Sequence, residues 1–434
     1  MLLPDAIPDE EPILRVGIIL PEDNEFCLNL DLSAAKNLKL TADGKMIDHP
    51  EKPEIRLENG ALKLNGLIFK NLIIDQSSID SYIIVKNVIA GRGFHWAKKI
   101  DVKLTYTMIL SLKENSILLI NELPIEEYLA CVATSEMSAE CPDSYIEAQT
   151  IVARSWMLAN VEQKHVSLGF DVCNDDCCQR FQGVNNLTEH SRKAANSTRG
   201  LVLIYDKKIV DARYSKSCGG IMERFENLWE NVPKDYMQNK SDSSSDFHVN
   251  LQDESEFKNW VSSIPSAFCS PHFIPEEDLH KFLGNVDEKG KYFRWTVRVS
   301  NEELVKNLNE KLQMRIKSVT AIKPIRRAGS GRILELEIGY LDHDESGKSL
   351  IVHKDYGIRR LLYRKFLYSS AIIIESDKSG DNEVPAGFVY HGAGWGHGAG
   401  MCQIGALGMA IAGYKTDEIV YHYYPGSRLK KLYN

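Results

Sequence analysis

From Ile13 to about Leu119, apolar and polar residues alternate in short runs (ILRVGIIL, ALKLNGLIFKNLIID, SYIIVKNVIAG and SILLI) broken by Gly, Asn and Asp. A period of two with turn formers at the breaks predicts a succession of half-buried strands and a β-rich first part. At NELPIEEYLACVATSEM the period lengthens. Ile125, Leu129 and Val132 fall on one helical stripe, Pro124 suits a first helical position, and Glu126 and Glu127 stand where a first turn favours acids. A second helix is expected from Pro142 or Asp143, with Ala148, Val152, Trp156 and Ala159 repeating at spacings of four, four and three.

Further on, the Ser/Asp-rich stretch Asn239 to His248 reads as a solvent loop that opens an inserted region. FKNWVSSI and EELVKNLNEKL are predicted helices, and RILELEIGYL and SLIVH predicted strands. GIRRLLYRKFLYSSAIIIE follows, then the glycine string HGAGWGHGAGMCQIGALG from His391 to Gly408. A short helix, TDEIVYHYY, is expected to be capped by Thr416 and stopped by Pro425-Gly426. No internal repeat occurs. These elements describe an α+β fold. It comprises a β-rich N-terminal part, a helical segment packed on strands, an inserted second α/β subdomain, and a C-terminal strand and helix returning to the core.

Composition narrows the function. The 434 residues are 43% hydrophobic and 26% charged, enough for a sizeable core and for roughly two to three domains. A net charge of -8, from 52 Lys+Arg against 60 Asp+Glu, argues against nucleic acid as the main partner. No apolar run reaches the roughly 18 residues of a membrane span, and the start MLLPDAIPDEEP lacks the basic and apolar regions of a signal. Three of the nine cysteines cluster in DVCNDDCCQRF while Cys27, Cys131, Cys141, Cys218, Cys269 and Cys402 are scattered. That clustering favours a metal or redox site over a disulfide framework.

Four stretches carry candidate chemistry. Glu136 ends the first predicted helix, where unpaired carbonyls and apolar neighbours Val132, Ala133 and Met137 disfavour the ionised carboxylate, the setting of a general acid. Alternatively, it faces water or caps the turn with Ser135 and Ser138. Cys173, Cys177 and Cys178, with His165 upstream, can converge on one zinc ion; buried thiols or a disulfide are the other readings. In RYSKSCGGIMERFENLW, Gly219 and Gly220 mark a tight turn whose amides and hydroxyls either face a ligand or simply close a hairpin. In the glycine string, every second residue from Gly392 to Gly400 lacks a side chain. The expected result is a flat strand face presenting Trp395 and His397, followed by a helix whose N-terminal amides near Gln403 suit an anion. A Walker-type phosphate loop is excluded, because no Gly-Lys-Ser/Thr follows.

Together LPIEEYLACVATSEMSAE, EAQTIVARSWML, DVCNDDCCQRF, SKSCGGIME and GAGWGHGAGMCQIGALGMA stand in the order of the motifs of the stage II sporulation protein D (SpoIID/LytB) family, which the chain resembles from about Gly93 to Asn434. The resemblance implies a core of residues 121–235 and 375–434, with residues 1–120 a β-rich region and 236–374 an inserted α/β subdomain. It further implies a peptidoglycan lytic transglycosylase that cleaves the MurNAc-GlcNAc bond of strands denuded of stem peptides and leaves 1,6-anhydro-MurNAc ends. The alternative is a non-catalytic, glycan-binding activator of an N-acetylmuramoyl-L-alanine amidase.

The family's catalytic glutamate falls on Glu136. Gln149, Arg154, Gln179, Ser217, Trp395, His397 and Gln403 become candidate substrate-binding residues, and His165, Cys173, Cys177 and Cys178 candidate ligands of a structural zinc. Two departures matter: Cys177 stands where the family often has histidine, and Cys402 where many members have serine. A peptidoglycan substrate places the protein in the periplasm or elsewhere in the extracytoplasmic envelope, its signal removed. In that oxidising space Cys218 with Cys269, or Cys131 with Cys141, become candidate disulfides.

Overall fold

The alternating runs do become strands, and they pair into two sheets. The computed structural model describes residues 1–3, 6–76, 81–93, 97–284, 290–377 and 384–434. By contacts the chain divides into two units, residues 1–211 with 281–288 and 429–434, and residues 212–280 with 289–428.

In the first unit, a sheet runs in spatial order Val172–Cys173, Ile13–Ile19, Ser116–Pro124, Thr107–Lys113, Asn71–Asp75, Lys39–Ala42 and Lys45–Ile47. A second runs Lys98–Leu104, Ile83–Ala90, Cys27–Asp31, Glu54–Glu58, Ala61–Leu64 and Leu67–Phe69. The period of two is visible in Asn71–Asp75, where Leu72 and Ile74 are wholly buried while Ile73 is 41% exposed. Inward residues such as Leu14, Val16 and Leu110 share one core with Tyr128, Leu129 and Val132 of the first helix, which ties helix to sheet.

Helices α1 (Ile125–Glu136), α2 (Asp143–Ala159) and α3 (Glu189–Ser197) follow the sheets. Pro124 and Pro142 are both extended, with ψ 144° and 151°, so each helix starts one residue after its proline. The single apolar stripe expected for α1 is too narrow. Every residue of α1 except Glu127 is buried, because the sheet, α2 and α3 surround it and its small residues Ala130 and Ala133 admit close neighbours.

The second unit contains the antiparallel sheet Arg294–Ser300, Gly387–Ala393, Ile372–Ser376 and a hairpin sheet Ile316–Arg327, Ile333–Asp342, Gly347–His353. Its helices are α4 (Glu254–Ser262), α5 (Glu276–Leu279), α6 (Asn301–Leu312), α7 (Asp355–Leu362), α8 (Gln403–Ile411) and α9 (Thr416–Tyr423). Leu304 and Leu308 of α6 enter a core with Val319, Ile338 and Ile372. Local chemistry sets the starts: Asp253 accepts from Ser255 N–H and Glu256 N–H at 2.9 and 3.0 Å, and Ser300 and Glu303 form a capping box. The cap of α9 is Lys415 rather than Thr416, since the Glu418 carboxylate already accepts the Lys415 N–H at 2.8 Å. Mixed and segregated in this way, the fold is α+β. Among the described residues, no helix is long and apolar enough to cross a membrane.

Two further expectations change. Ser241, Asp242 and Ser243 are buried rather than in a solvent loop. The Asp242 N–H donates to the Gly220 carbonyl at 2.9 Å, and its own carbonyl accepts from Phe268 N–H at 2.6 Å, so the segment is clamped from both sides. The flat glycine strand also fails to form, because the strand stops at Ala393. Beyond it Gly394, Gly396, Gly398 and Gly400 adopt φ of +75°, +98°, +76° and +68°, a left-handed alternation that strands do not use. At Gly400 a Cβ would stand 1.9 Å from the Arg213 carbonyl oxygen. The glycines there serve close backbone approach within the protein.

Candidate active site

Glu136 is the last residue of α1 and is 8% exposed. Its Oε1 accepts the backbone N–H of Arg180 at 3.1 Å. The preceding Ser135 donates to the Cys131 carbonyl at 2.9 Å and accepts the Gln182 N–H at 3.3 Å. Met137 leaves the helix in extended conformation and bridges Leu283, while Ser138 N–H donates to Phe282 at 2.9 Å. Helix end and carboxylate are thus held by two segments distant in sequence. Arg180 and Gln182 escape sequence reasoning because they act through backbone amides, which leave no residue-type signal.

The loop that supplies those amides begins at the cysteine cluster. Cys173 joins the edge of the first sheet, where Gly17 is its parallel partner. Asp175 accepts from Gly91 N–H at 2.9 Å and Arg92 N–H at 2.7 Å, and Arg92 donates to Asn174 Oδ1 at 2.6 Å. The turn this fixes brings the Cys173 and Cys177 sulfurs to 3.0 Å, Cys177 and Cys178 to 3.8 Å, and His165 Nε2 to 3.6 Å from Cys177 Sγ.

All four donor atoms lie within 4.8 Å of one another. Three thiols and an imidazole match the chemistry of a closed tetrahedral site, whose S···S edges measure about 3.8 Å for zinc–sulfur bonds of about 2.3 Å. Hydrogen bonds from Cys173 and Cys178 pull the Cys177 thiol well below its ordinary value, with His165 adding to the effect, so one thiolate is already favoured there. His165 also stacks on Phe170 at 4.8 Å, which orients its ring.

Gln179 is buried in the same loop. Its Oε1 accepts from Tyr128 OH and its Nε2 donates to the Ala153 carbonyl, both at 3.2 Å, while Phe181 stacks on Tyr128 at 5.1 Å. On α2, Gln149 is fully buried and accepts from Tyr145 OH at 3.2 Å. Arg154, also fully buried, makes a two-pronged pair with Glu126 at 2.9 and 2.5 Å and donates to the Leu201 carbonyl at 3.0 Å. Gly200 N–H and Tyr433 OH complete the Glu126 shell at 3.2 and 2.7 Å. Arg154 therefore neutralises the one fully enclosed acid of α1 and ties α1 to α2. Cys131 lies buried in α1 as a thiol, and Cys141 Sγ donates to the Phe282 carbonyl at 3.7 Å.

The second unit holds the remaining candidates. Ser217 and Trp395 exchange backbone hydrogen bonds at 2.9 and 2.7 Å, and Ser217 Oγ is buried with no hydrogen-bond partner among the described residues. The Trp395 indole is half-buried and stacks on Tyr368 at 3.9 Å, with Tyr292 at 4.7 Å. His397 Nδ1 accepts the Ala399 N–H at 3.1 Å, leaving the proton on Nε2, and Trp229 meets the ring edge-on at 4.9 Å. Desolvation, reinforced by the positive charges of Arg213, Arg359 and Arg332, pushes His397 down to about 3, so its imidazole is neutral. Gln403 is buried as the first residue of α8. The amides expected to suit an anion are already engaged, with Ile404 N–H on the Lys216 carbonyl and Gly405 N–H on Cys402 Sγ at 3.0 and 3.3 Å.

Residues 113–205, which hold Glu136 and the cysteine loop, match the family described as Stage II sporulation protein. Over these residues the chain carries a SpoIID-family match. A domain of unknown function (DUF8618) matches residues 223–400. The Stage II sporulation protein D of Bacillus subtilis is 23% identical over 330 residues, 72% of this chain and 76% of that protein. The Amidase enhancer of Bacillus subtilis is 24% identical over 314 residues, 69% of this chain but 39% of that protein. An uncharacterized protein of Brachyspira hyodysenteriae is 25% identical over 313 residues, 72% of this chain and 68% of its own length. The segment that ends α1 and the loop that grips its last carboxylate thus fall inside one family match.

Proposed function

We propose that the protein is a peptidoglycan lytic transglycosylase acting outside the cytoplasmic membrane, with Glu136 as the single acid and base. The observation that carries this reading is the setting of Glu136, a nearly buried carboxylate at a helix end within the SpoIID match, fixed through one oxygen by the Arg180 amide. In its acid form Glu136 donates a proton to the oxygen joining MurNAc to GlcNAc as positive charge develops at C1. As carboxylate it then takes the proton of the muramic C6 hydroxyl, whose oxygen bonds to C1 and closes the 1,6-anhydro ring. An intramolecular nucleophile replaces water, so no second carboxylate is needed.

His165, Cys173, Cys177 and Cys178 are the residues that would hold a zinc ion, and what the ion supplies when bound is a fixed loop. The protein's part is positional, since the loop running from Cys178 to Gln182 presents the Arg180 and Gln182 amides to the end of α1. Glycan contact is assigned to the half-buried Trp395, while Ser217 and Gln403, both buried, and the neutral His397 act by positioning the segment that carries it. Arg154 and Gln179 brace α1 and α2, and Gln149 accepts from Tyr145 within α2.

The test is digestion of denuded glycan strands followed by mass spectrometry. The native chain is expected to release 1,6-anhydro-MurNAc ends. Glu136→Gln is expected to lose activity by about 10²–10⁴-fold, with an unchanged circular dichroism spectrum. A second reading, activation of a cell-wall amidase without glycan cleavage, is favoured by the similarity to an amidase enhancer. It predicts intact strands and an amidase stimulation that survives Glu136→Gln.

A further inference from the structure

A second group of metal-ligating side chains lies in the second unit, built from four residues that no local motif connects. Cys218, Asp242, Cys269 and Cys402 are 3%, 0%, 3% and 1% exposed, and their donor atoms all lie within 4.8 Å of one another. Cys218 Sγ is 3.7 Å from Cys269 Sγ and 3.4 Å from Asp242 Oδ2. A disulfide would require about 2.05 Å, whereas zinc–sulfur bonds of about 2.3 Å in a tetrahedron give S···S edges of about 3.8 Å. The separation of the first pair is that of a tetrahedral edge.

The surroundings orient these donors toward a common point. Cys402 caps α8, accepting Gly405 N–H at 3.3 Å and Cys218 N–H at 3.2 Å, interactions that favour a thiolate. Asp242 Oδ1 accepts from Tyr423 OH at 2.7 Å and lies 3.7 Å from His422 Nε2, which leaves Oδ2 directed at the sulfurs and at the Cys269 N–H, 3.2 Å away. Position 405 must be glycine for the carboxylate to enter, since a Cβ there would stand 2.4 Å from Asp242 Oδ2. Asp242 is wholly buried among three thiols, with no Lys or Arg hydrogen-bonded to it among the described residues and His422 3.7 Å away on its other oxygen, so a cation shared at the site would offset the cost of burying its charge.

We propose that Cys218, Asp242, Cys269 and Cys402 form a metal site that takes one zinc ion in tetrahedral Cys3Asp coordination, separate from the His165 cluster. On binding, the thiols release their protons to solvent and the sulfurs bond the ion. The ion ties the Ser217–Gly220 turn to the N-terminus of α8. Because Ser217 is paired with Trp395, it also fixes the segment that carries Trp395 and His397. The inference does not depend on glycan cleavage.

The experiment uses the 434-residue chain carrying Cys177→Ser and Cys178→Ser, which disables the first cluster and leaves the second untouched. Zinc per chain is measured by plasma mass spectrometry, and the metal-free protein is then loaded with Co2+. One equivalent of zinc, together with thiolate-to-cobalt charge-transfer bands and tetrahedral d–d bands, is the expected result. Adding Asp242→Asn and Cys269→Ser should remove both the equivalent and the bands. The proposal is overturned if the folded double variant holds no metal and shows no thiolate–cobalt bands. It is equally overturned if peptide mapping finds Cys218 and Cys269 joined as a disulfide. Because the decisive measurement is made with an intact second site, a failure of the four-fold variant to fold does not affect it.

Discussion

The backbone N–H of Arg180 donates to Glu136 Oε1 over 3.1 Å, which makes the cysteine loop the clamp of the proposed acid. Loosening the loop at its root should therefore act on catalysis. Cys173→Ser, or removal of metal by a chelator, is expected to raise amide exchange across residues 174–182 and to lower glycan cleavage by about 10-fold or more. Positioning losses of this kind reach about 100-fold for a displacement of 1 Å. Exchange mass spectrometry and the strand-digestion assay read the two effects. Unchanged exchange with full activity would separate the loop from the chemistry.

The Glu126–Arg154 pair is a stability element. Arg154→Met leaves a carboxylate enclosed by Tyr433 and Gly200 without its cation, and a loss of about 3–5 kcal/mol is expected from denaturant unfolding. Burial pushes the Glu126 carboxyl up, but the Arg154 charge and hydrogen bonds win and hold it below its ordinary value of 4.5. The folded-state value lies beneath the unfolded one, so the contribution is complete above about pH 4.5 and is lost as pH falls through the lower folded-state value. Glu126→Gln should flatten that acid limb of the stability curve.

His397 titrates in the opposite chemical sense with the same direction in pH. Its folded value of about 3 lies below the ordinary 6.5, so on acidification the unfolded chain takes up a proton that the folded chain refuses. Stability linked to this ring is full above about pH 6.5 and declines toward pH 3. His397→Gln is expected to remove that slope, and ring proton shifts of the native chain should stay constant from pH 8 to 5. A ring titrating near 6.5 would contradict the neutral assignment.

Glycine substitutions divide by their surroundings. Gly44 has φ +82° with open space around its missing Cβ, and Gly44→Ala should cost about 1–2 kcal/mol from the left-handed backbone alone. Gly400→Ala adds a 1.9 Å collision with the Arg213 carbonyl to φ +68°, so a loss of about 3 kcal/mol or more is expected. Thermal melts of the two variants, compared with the parent, measure the difference. Equal shifts would show that the backbone around Gly400 yields freely.

The strands of the first unit and, within a residue, the starts of α1 and α2 were legible from neighbouring residues alone, because alternation and prolines act within a few positions, whereas α4 begins at Glu254, three residues ahead of the expected FKNWVSSI. The same reach explains the failures. Asn239–His248 has the composition of a solvent loop, yet Asp242 is enclosed by Gly220, Phe268 and Tyr423, which composition does not encode. The regular glycine spacing suggested a strand face, but φ is set by what each glycine must approach, and those neighbours, Arg213 and Ser215 among them, lie more than 180 positions away.

For this chain, the amino-acid order by itself determined the α+β class, the helix that ends in Glu136 and the three-cysteine turn, all products of short-range periodicity and spacing. Only the tertiary structure decided which backbone amides hold Glu136, that Arg154 is paired with Glu126, and that Cys218, Asp242, Cys269 and Cys402 meet. Convergence of groups 24 to 184 positions apart is a property of packed elements and long-range hydrogen bonds, and no local pattern records it.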